Sequence, residues 1–176
     1  MRNTIFTSLI AGLVSAPAMA EPTLGCFMRD YSDPHLAAHP DQVVDQIWLS
    51  FYKIPYEVFE TDDTYASVRV LTADQGHVAS DGFGGQVFDG GMHCYQDRSR
   101  GETDWSCSVE CDGGWFEITR DDGDVLEIRT SYVMVGDTEE CGGAVDLAEH
   151  PQQPVTYRLY RVDGAVCDAL WPDEDS

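Results

Sequence analysis

The sequence predicts an all-β fold: an antiparallel, meander-rich barrel or sandwich of about seven or eight strands, with one short N-terminal helix and a disulfide framework. Three observations carry that expectation. Apolar residues recur with period two in successive short segments, Gly- and Asp-rich turns separate those segments, and six cysteines lie beyond residue 20.

The first twenty residues have the pattern of a secretory signal peptide. Arg2 supplies the positive region and Ile5 to Val14 a short apolar run, Pro17 would break the helix, and Ala18-Met19-Ala20 is a small-x-small cleavage site. Thr23-Leu24-Gly25-Cys26 is a faint match to a lipobox, but Glu21 and Pro22 interrupt the apolar run before the cysteine. The expected organisation is a removed leader over 1–20, one β-rich domain over 21–172 and an acidic tail over 173–176. Export to the periplasm or the medium follows from the leader. In that compartment an even cysteine count reads as disulfides, here Cys26, Cys94, Cys107, Cys111, Cys141 and Cys167.

Next along the chain comes the helix candidate, Asp33 to His39, in which Asp33 can cap, Pro34 suits the first position and Pro40 stops the run. Val43, Ile47, Leu49 and Phe51 then alternate with Gln46, Trp48, Ser50 and Tyr52, giving a strand with one buried face. A second strand runs from Tyr65 to Thr72, with Ala66, Val68 and Val70 inward. Gly91 to Asp97 and Trp105 to Cys111 flank a polar loop, and a symmetric hairpin about that loop sets Cys94 opposite Cys107 as a disulfide. For the remaining cysteines the expectation pairs Cys141 with Cys167 and Cys26 with Cys111.

Downstream, Gly113-Gly114 suits a two-residue primed turn that would place Cys111 opposite Phe116 and Val109 opposite Ile118. Asp121-Asp122-Gly123 suits a three-residue loop with Gly123 left-handed, placing Ile118 opposite Leu126 and Phe116 opposite Ile128. Val155 to Val162 forms the last strand and ends at Asp163-Gly164.

Composition narrows the partners. The chain carries 32 acidic residues against 10 Lys and Arg, a formal charge of −22 at pH 7, with 43% hydrophobic residues. So negative a surface repels phosphate backbones and anionic headgroups, which argues against nucleic acid and membrane partners and leaves basic proteins or cationic ligands. No apolar run after residue 20 approaches the length of a membrane-spanning helix.

Candidate chemistry is sparse. His35 and His39 have the i, i+4 spacing of a zinc-binding helix, but Leu36 stands where the metalloprotease motif needs its glutamate and a third ligand is missing, so a capping role is favoured. Asp121, Asp122 and Asp124 around Gly123 lack EF-hand spacing, and turn chemistry already accounts for them. The Gly-rich stretch from Asp81 to Gly91 lacks a P-loop lysine; its functional interpretation is a loop presenting Phe83 and Phe88 to a partner. No nucleophile elbow occurs, and no cofactor is expected. Gly113-Gly114-Trp115 has the letters of the lipocalin G-x-W, but at a mid-chain hairpin rather than on the first strand. The S-G-x-x-Y signature of bacterial lysozyme inhibitors does not occur, so neither family is assigned.

The expected function is an exported, acidic, noncatalytic binding module, of inhibitor or envelope accessory type. The alternatives are a barrel carrying a small apolar ligand and a hydrolase whose carboxylates assemble only in space.

Overall fold

Apolar alternation in this chain is resolved as a closed barrel. The computed structural model describes residues 21–56, 61–96, 104–138 and 143–171. The expected signal peptide, the 98–103 loop, Cys141 and the expected acidic tail lie outside the described residues.

Among the described residues, nine strands and three short helices follow in the order β1 (Gly25–Asp30), α1 (Asp33–Ala38), β2 (Val44–Tyr56), β3 (Thr61–Thr72), α2 (Gly76–Ser80), β4 (Val87–Gln96), β5 (Trp105–Ser108), β6 (Gly114–Asp121), β7 (Val125–Val135), β8 (Val145–Asp146), β9 (Val155–Arg161) and α3 (Gly164–Leu170). Strands β1 to β7 pair each with the next, β9 returns between β7 and β1, and all ladders are antiparallel. Eight strands therefore close a ring, with β8 a two-residue addition to β7. Closure leaves no long open edge among the described strands.

The strand faces fall as the alternation predicts. Ile47, Leu49 and Phe51 on β2, and Ala66, Val68 and Val70 on β3, point inward with no more than 2% exposure. They meet Phe27, Phe116, Ile118, Leu126, Ile128, Tyr157 and Leu159 in one contiguous cluster, so bulky side chains fill the barrel centre. Removing apolar surface from water at each such position contributes about 1.5–3 kcal/mol, which makes this cluster the main source of stability.

Turn geometry departs from expectation at two hairpins. Cys107 pairs with Phe116 and Ser108 with Trp115, and Val109 N–H bonds the Gly114 carbonyl at 3.0 Å. The turn is thus Glu110 to Gly113, centred on Cys111 and Asp112 with φ of 58° and 62°, rather than on Gly113-Gly114. Those paired left-handed residues supply the primed twist that a hairpin needs. The pairing moves by an even number of residues, so Phe116 and Ile118 keep their inward face. Between β6 and β7, Ile118 pairs with Ile128 instead of Leu126: the ladder begins with Asp121 opposite Leu126, and one extra residue on β6 between Ile118 and Arg120 leaves a net shift of two. Again the shift is even and the apolar faces coincide.

The disulfides both match and correct the sequence expectation. Cys94 faces Cys107 across the β4–β5 ladder and is bonded to it. Cys26 pairs with Cys167, so neither Cys26–Cys111 nor Cys141–Cys167 forms. Cys111 is also disulfide-bonded. Oxidised cysteines fit an oxidising, extracellular-type environment. The sulfur of Cys26 is committed to that bond, which leaves it no valence for the thioether of a lipoprotein.

Helix α1 matches expectation, except that Ser32 occupies the cap position and Asp33 lies in the first turn. Two helices were not expected. Helix α2 has a single buried residue, Val78. Helix α3 begins where the sequence suggested a simple strand end: the Asp163 carboxylate accepts the Ala165 N–H at 2.9 Å, a side-chain N-cap. Helix α3 packs outside β1 and β2, held by Cys26–Cys167 and by Trp171, whose indole N–H donates to Asp89 at 3.0 Å.

Candidate binding site

The predicted loop residues Phe83 and Phe88 are half-buried. They pack edge to face on each other at 5.7 Å and lean on the core cluster. Thr72 fixes their segment by donating its hydroxyl to the Phe83 carbonyl at 2.5 Å.

His35 and His39 stack face to face at 4.2 Å. His39 Nδ1 donates to the His35 carbonyl at 2.8 Å, capping the end of α1. Buried Gln42 donates to the Val44 carbonyl at 2.7 Å, which turns its Oε1 toward His35 Nε2 at 2.9 Å. With its amide so oriented, His35 carries its proton on Nε2. Both rings are therefore committed to local hydrogen bonds. Asp121 and Asp122 serve their turn, accepting the Gly123 N–H at 3.0 Å and the Val125 N–H at 2.8 Å. Among the described residues no group of three or more His, Cys, Asp or Glu side chains is placed to hold a metal.

Register assembles a surface that spacing alone does not reveal. Tyr52 on β2, Tyr65 on β3 and His93 on β4 are direct cross-strand neighbours on the outer wall. Tyr52 stacks on Tyr65 at 6.2 Å, Tyr65 lies 5.2 Å from His93, and Tyr95 stacks 6.0 Å beyond it. The row continues through Ser108 to Trp115 and Tyr132, which pair across β6 and β7 and are 45% and 46% exposed. This many exposed aromatic rings in a line is unusual for an outer face that contacts only water.

Beside Tyr52, Tyr65 and His93 lies a cleft of about 390 Å³ that also includes Glu110, Met134 and Asp137. Glu110 and Asp137 are exposed, and their carboxylates make no hydrogen bond or ion pair among the described residues. A third carboxylate at the rim, Asp89, is engaged: Arg69 holds it through two bonds of 2.7 and 2.9 Å, and Trp171 through one. No lysine or arginine lines the cleft. Aromatic faces next to unpaired carboxylates attract a cation twice over, through the ring quadrupole and through charge.

Two tyrosines elsewhere carry perturbed hydroxyls. Burial, opposed by the nearby Arg29 charge and reinforced by Glu149, pushes the Tyr31 hydroxyl up to about 12. Burial likewise holds the Tyr157 hydroxyl well above its ordinary value, where it donates to the Leu147 carbonyl at 2.6 Å. A tyrosine whose folded value is raised retains its full stabilisation below the unfolded value of about 10 and loses it as pH rises through the folded value. Between pH 10 and about 12, Tyr31 alone should thus withdraw roughly 2–3 kcal/mol. Tyrosinate absorbance followed against pH should show these hydroxyls ionising late and together with unfolding, and Tyr31→Phe should soften the alkaline loss. Ionisation of every tyrosine near pH 10 in a still-folded chain would contradict the burial argument.

Fold and surface together define a disulfide-stapled, closed eight-stranded antiparallel barrel with an aromatic outer row beside unpaired acids. Comparison of the chain with protein-family models, curated proteins and solved structures returned no match.

Proposed function

We propose that this chain is an exported, noncatalytic binding module, acting in the periplasm or the medium, that engages a basic protein segment on the outer face of β2, β3 and β4. The observation that carries the proposal is the Tyr52–Tyr65–His93 row beside unpaired Glu110 and Asp137, in a cleft lined by no lysine or arginine. A guanidinium or ammonium laid over such rings gains about 0.5–2 kcal/mol from the aromatic face, and the flanking carboxylates add long-range attraction. The filled barrel centre supports recognition on the outside rather than in a lumen.

An oligo-arginine peptide is the direct probe. Its binding should saturate, weaken as salt is raised, and shift the NMR resonances of Tyr52, Tyr65 and His93 first. Tyr65→Ala, or Glu110→Gln with Asp137→Asn, should weaken it about tenfold. Equal binding by wild type and both variants, or shifts spread evenly over the acidic surface, would remove this face as the site.

A further inference from the structure

A second cleft carries charged side chains of both signs. Strands β1 and β2 share six register pairs, but β1 and β9 share only two, Phe27 with Arg161 and Met28 with Tyr160, and then part. The gap beside α1 forms a cleft of about 450 Å³, whose lining includes Arg29, Tyr31, His35, Glu149 and Tyr160. That size is within the range of small-molecule sites.

Its two uncompensated charges belong to Arg29 and Glu149. The Arg29 guanidinium lies over the Tyr31 ring at 4.9 Å and the Tyr160 ring at 5.4 Å. It makes no side-chain hydrogen bond and has no carboxylate within 4.0 Å among the described residues, and its Nε is buried without an acceptor. Glu149 lines the same cleft and likewise has no hydrogen bond or cation within those limits. With 32 acids in the chain, an arginine left without one is not explained by scarcity. The other ionisable groups of the cleft have partners: Arg158 grips Glu127 at 2.7 and 2.6 Å, and His35 and His39 each bond through one ring nitrogen as described above.

The Arg29 guanidinium lines the cleft without a carboxylate partner among the described residues, and a ligand carboxylate meets a guanidinium with two parallel bonds. A carboxylate alone would be repelled by Glu149; a ligand that also carries an ammonium would not. We propose that this cleft binds a small zwitterion, a free α-amino acid, with its carboxylate on Arg29, its ammonium toward Glu149 and its side chain against the Tyr31 and Tyr160 rings. This site does not depend on the cation-binding face proposed above, since the two clefts share no residue.

The test is a thermal-shift survey of the common amino acids on the oxidised, processed chain. Calorimetry follows with the best of them, its N-acetyl derivative, its amide and its dipeptide. The free amino acid should bind saturably, and removing either charge chemically should weaken binding about tenfold or more. Arg29→Ala and Glu149→Gln should each do the same without changing the circular dichroism of the unliganded chain. The derivative arms need no variant, so a misfolded Arg29→Ala leaves the test intact. Absence of binding by every amino acid, N-acetyl derivative binding equal to that of the parent, or tighter binding of the dipeptide would each overturn the assignment.

Discussion

Replacing Cys26 and Cys167 together by alanine should remove about 5 kcal/mol of stability and lower the melting temperature by roughly 10–20 °C. The bond joins residues 141 apart in sequence, so in the unfolded chain it closes nearly the whole described molecule into one loop. Constraint of the unfolded state grows with loop length, and the corresponding figure for Cys94–Cys107, at a separation of 13, is closer to 3 kcal/mol. The native state contributes as well. Helix α3 buries only Cys167, so without the bond it is held to the barrel chiefly by Trp171, through its indole bond to Asp89 and the Arg69 guanidinium over its ring at 5.5 Å. Urea and thermal unfolding of the two double-alanine variants, side by side, would check the ranking. A smaller loss for Cys26/Cys167 than for Cys94/Cys107 would contradict it.

That bond also marks where sequence reasoning stops. Cys94–Cys107 was legible because both cysteines lie on strands joined by one symmetric hairpin, where register alone fixes the partner. Cys26–Cys167 was not, because it depends on barrel closure between the two ends of the chain. Strand β1 also hides its own signal. Phe27 packs into the barrel while Cys26 is covered from outside by α3, so adjacent residues are both buried and the alternation that identifies β2 and β3 disappears. Register errors at the β5–β6 and β6–β7 hairpins were even-numbered, since burial of Phe116, Ile118, Leu126 and Ile128 fixes the face of a strand without fixing which inward residue lies opposite which.

The candidate surfaces were less accessible still. Tyr52, Tyr65 and His93 become neighbours only when two ladders are aligned. Arg29 and Glu149 share a cleft because β1 and β9 part company, a tertiary event with no local spacing to announce it. Phe83 and Phe88 stand out in sequence as aromatics of a glycine-rich loop, but their mutual packing and their contact with the core become visible only in three dimensions.

Gly114→Ala should cost about 3 kcal/mol or more, the largest effect expected of any single-methyl addition in the β5–β7 meander. Gly114 has φ of 81°, and an added Cβ would sit 2.1 Å from the Tyr132 carbonyl oxygen and 2.7 Å from its carbon. Those are backbone atoms of β7, which cannot rotate aside as a side-chain end can. Relief would require β6 to move off β7 at the Gly114–Val133 and Trp115–Tyr132 pairs. Gly123 separates strain from clash: its φ is 89°, yet nothing lies within 4 Å of an added Cβ. Gly123→Ala should therefore show the left-handed penalty alone, about 1 kcal/mol. Urea unfolding gives both values, and Trp115 fluorescence reports on the β6 end of the meander directly. If the two variants lost equal stability, close approach at Gly114 would contribute nothing and the glycine would be needed only for its backbone angle. A loss confined to Gly114, with altered Trp115 emission in the folded state, would show that the aromatic row on β6 and β7 keeps its position because glycine lets the two strands meet.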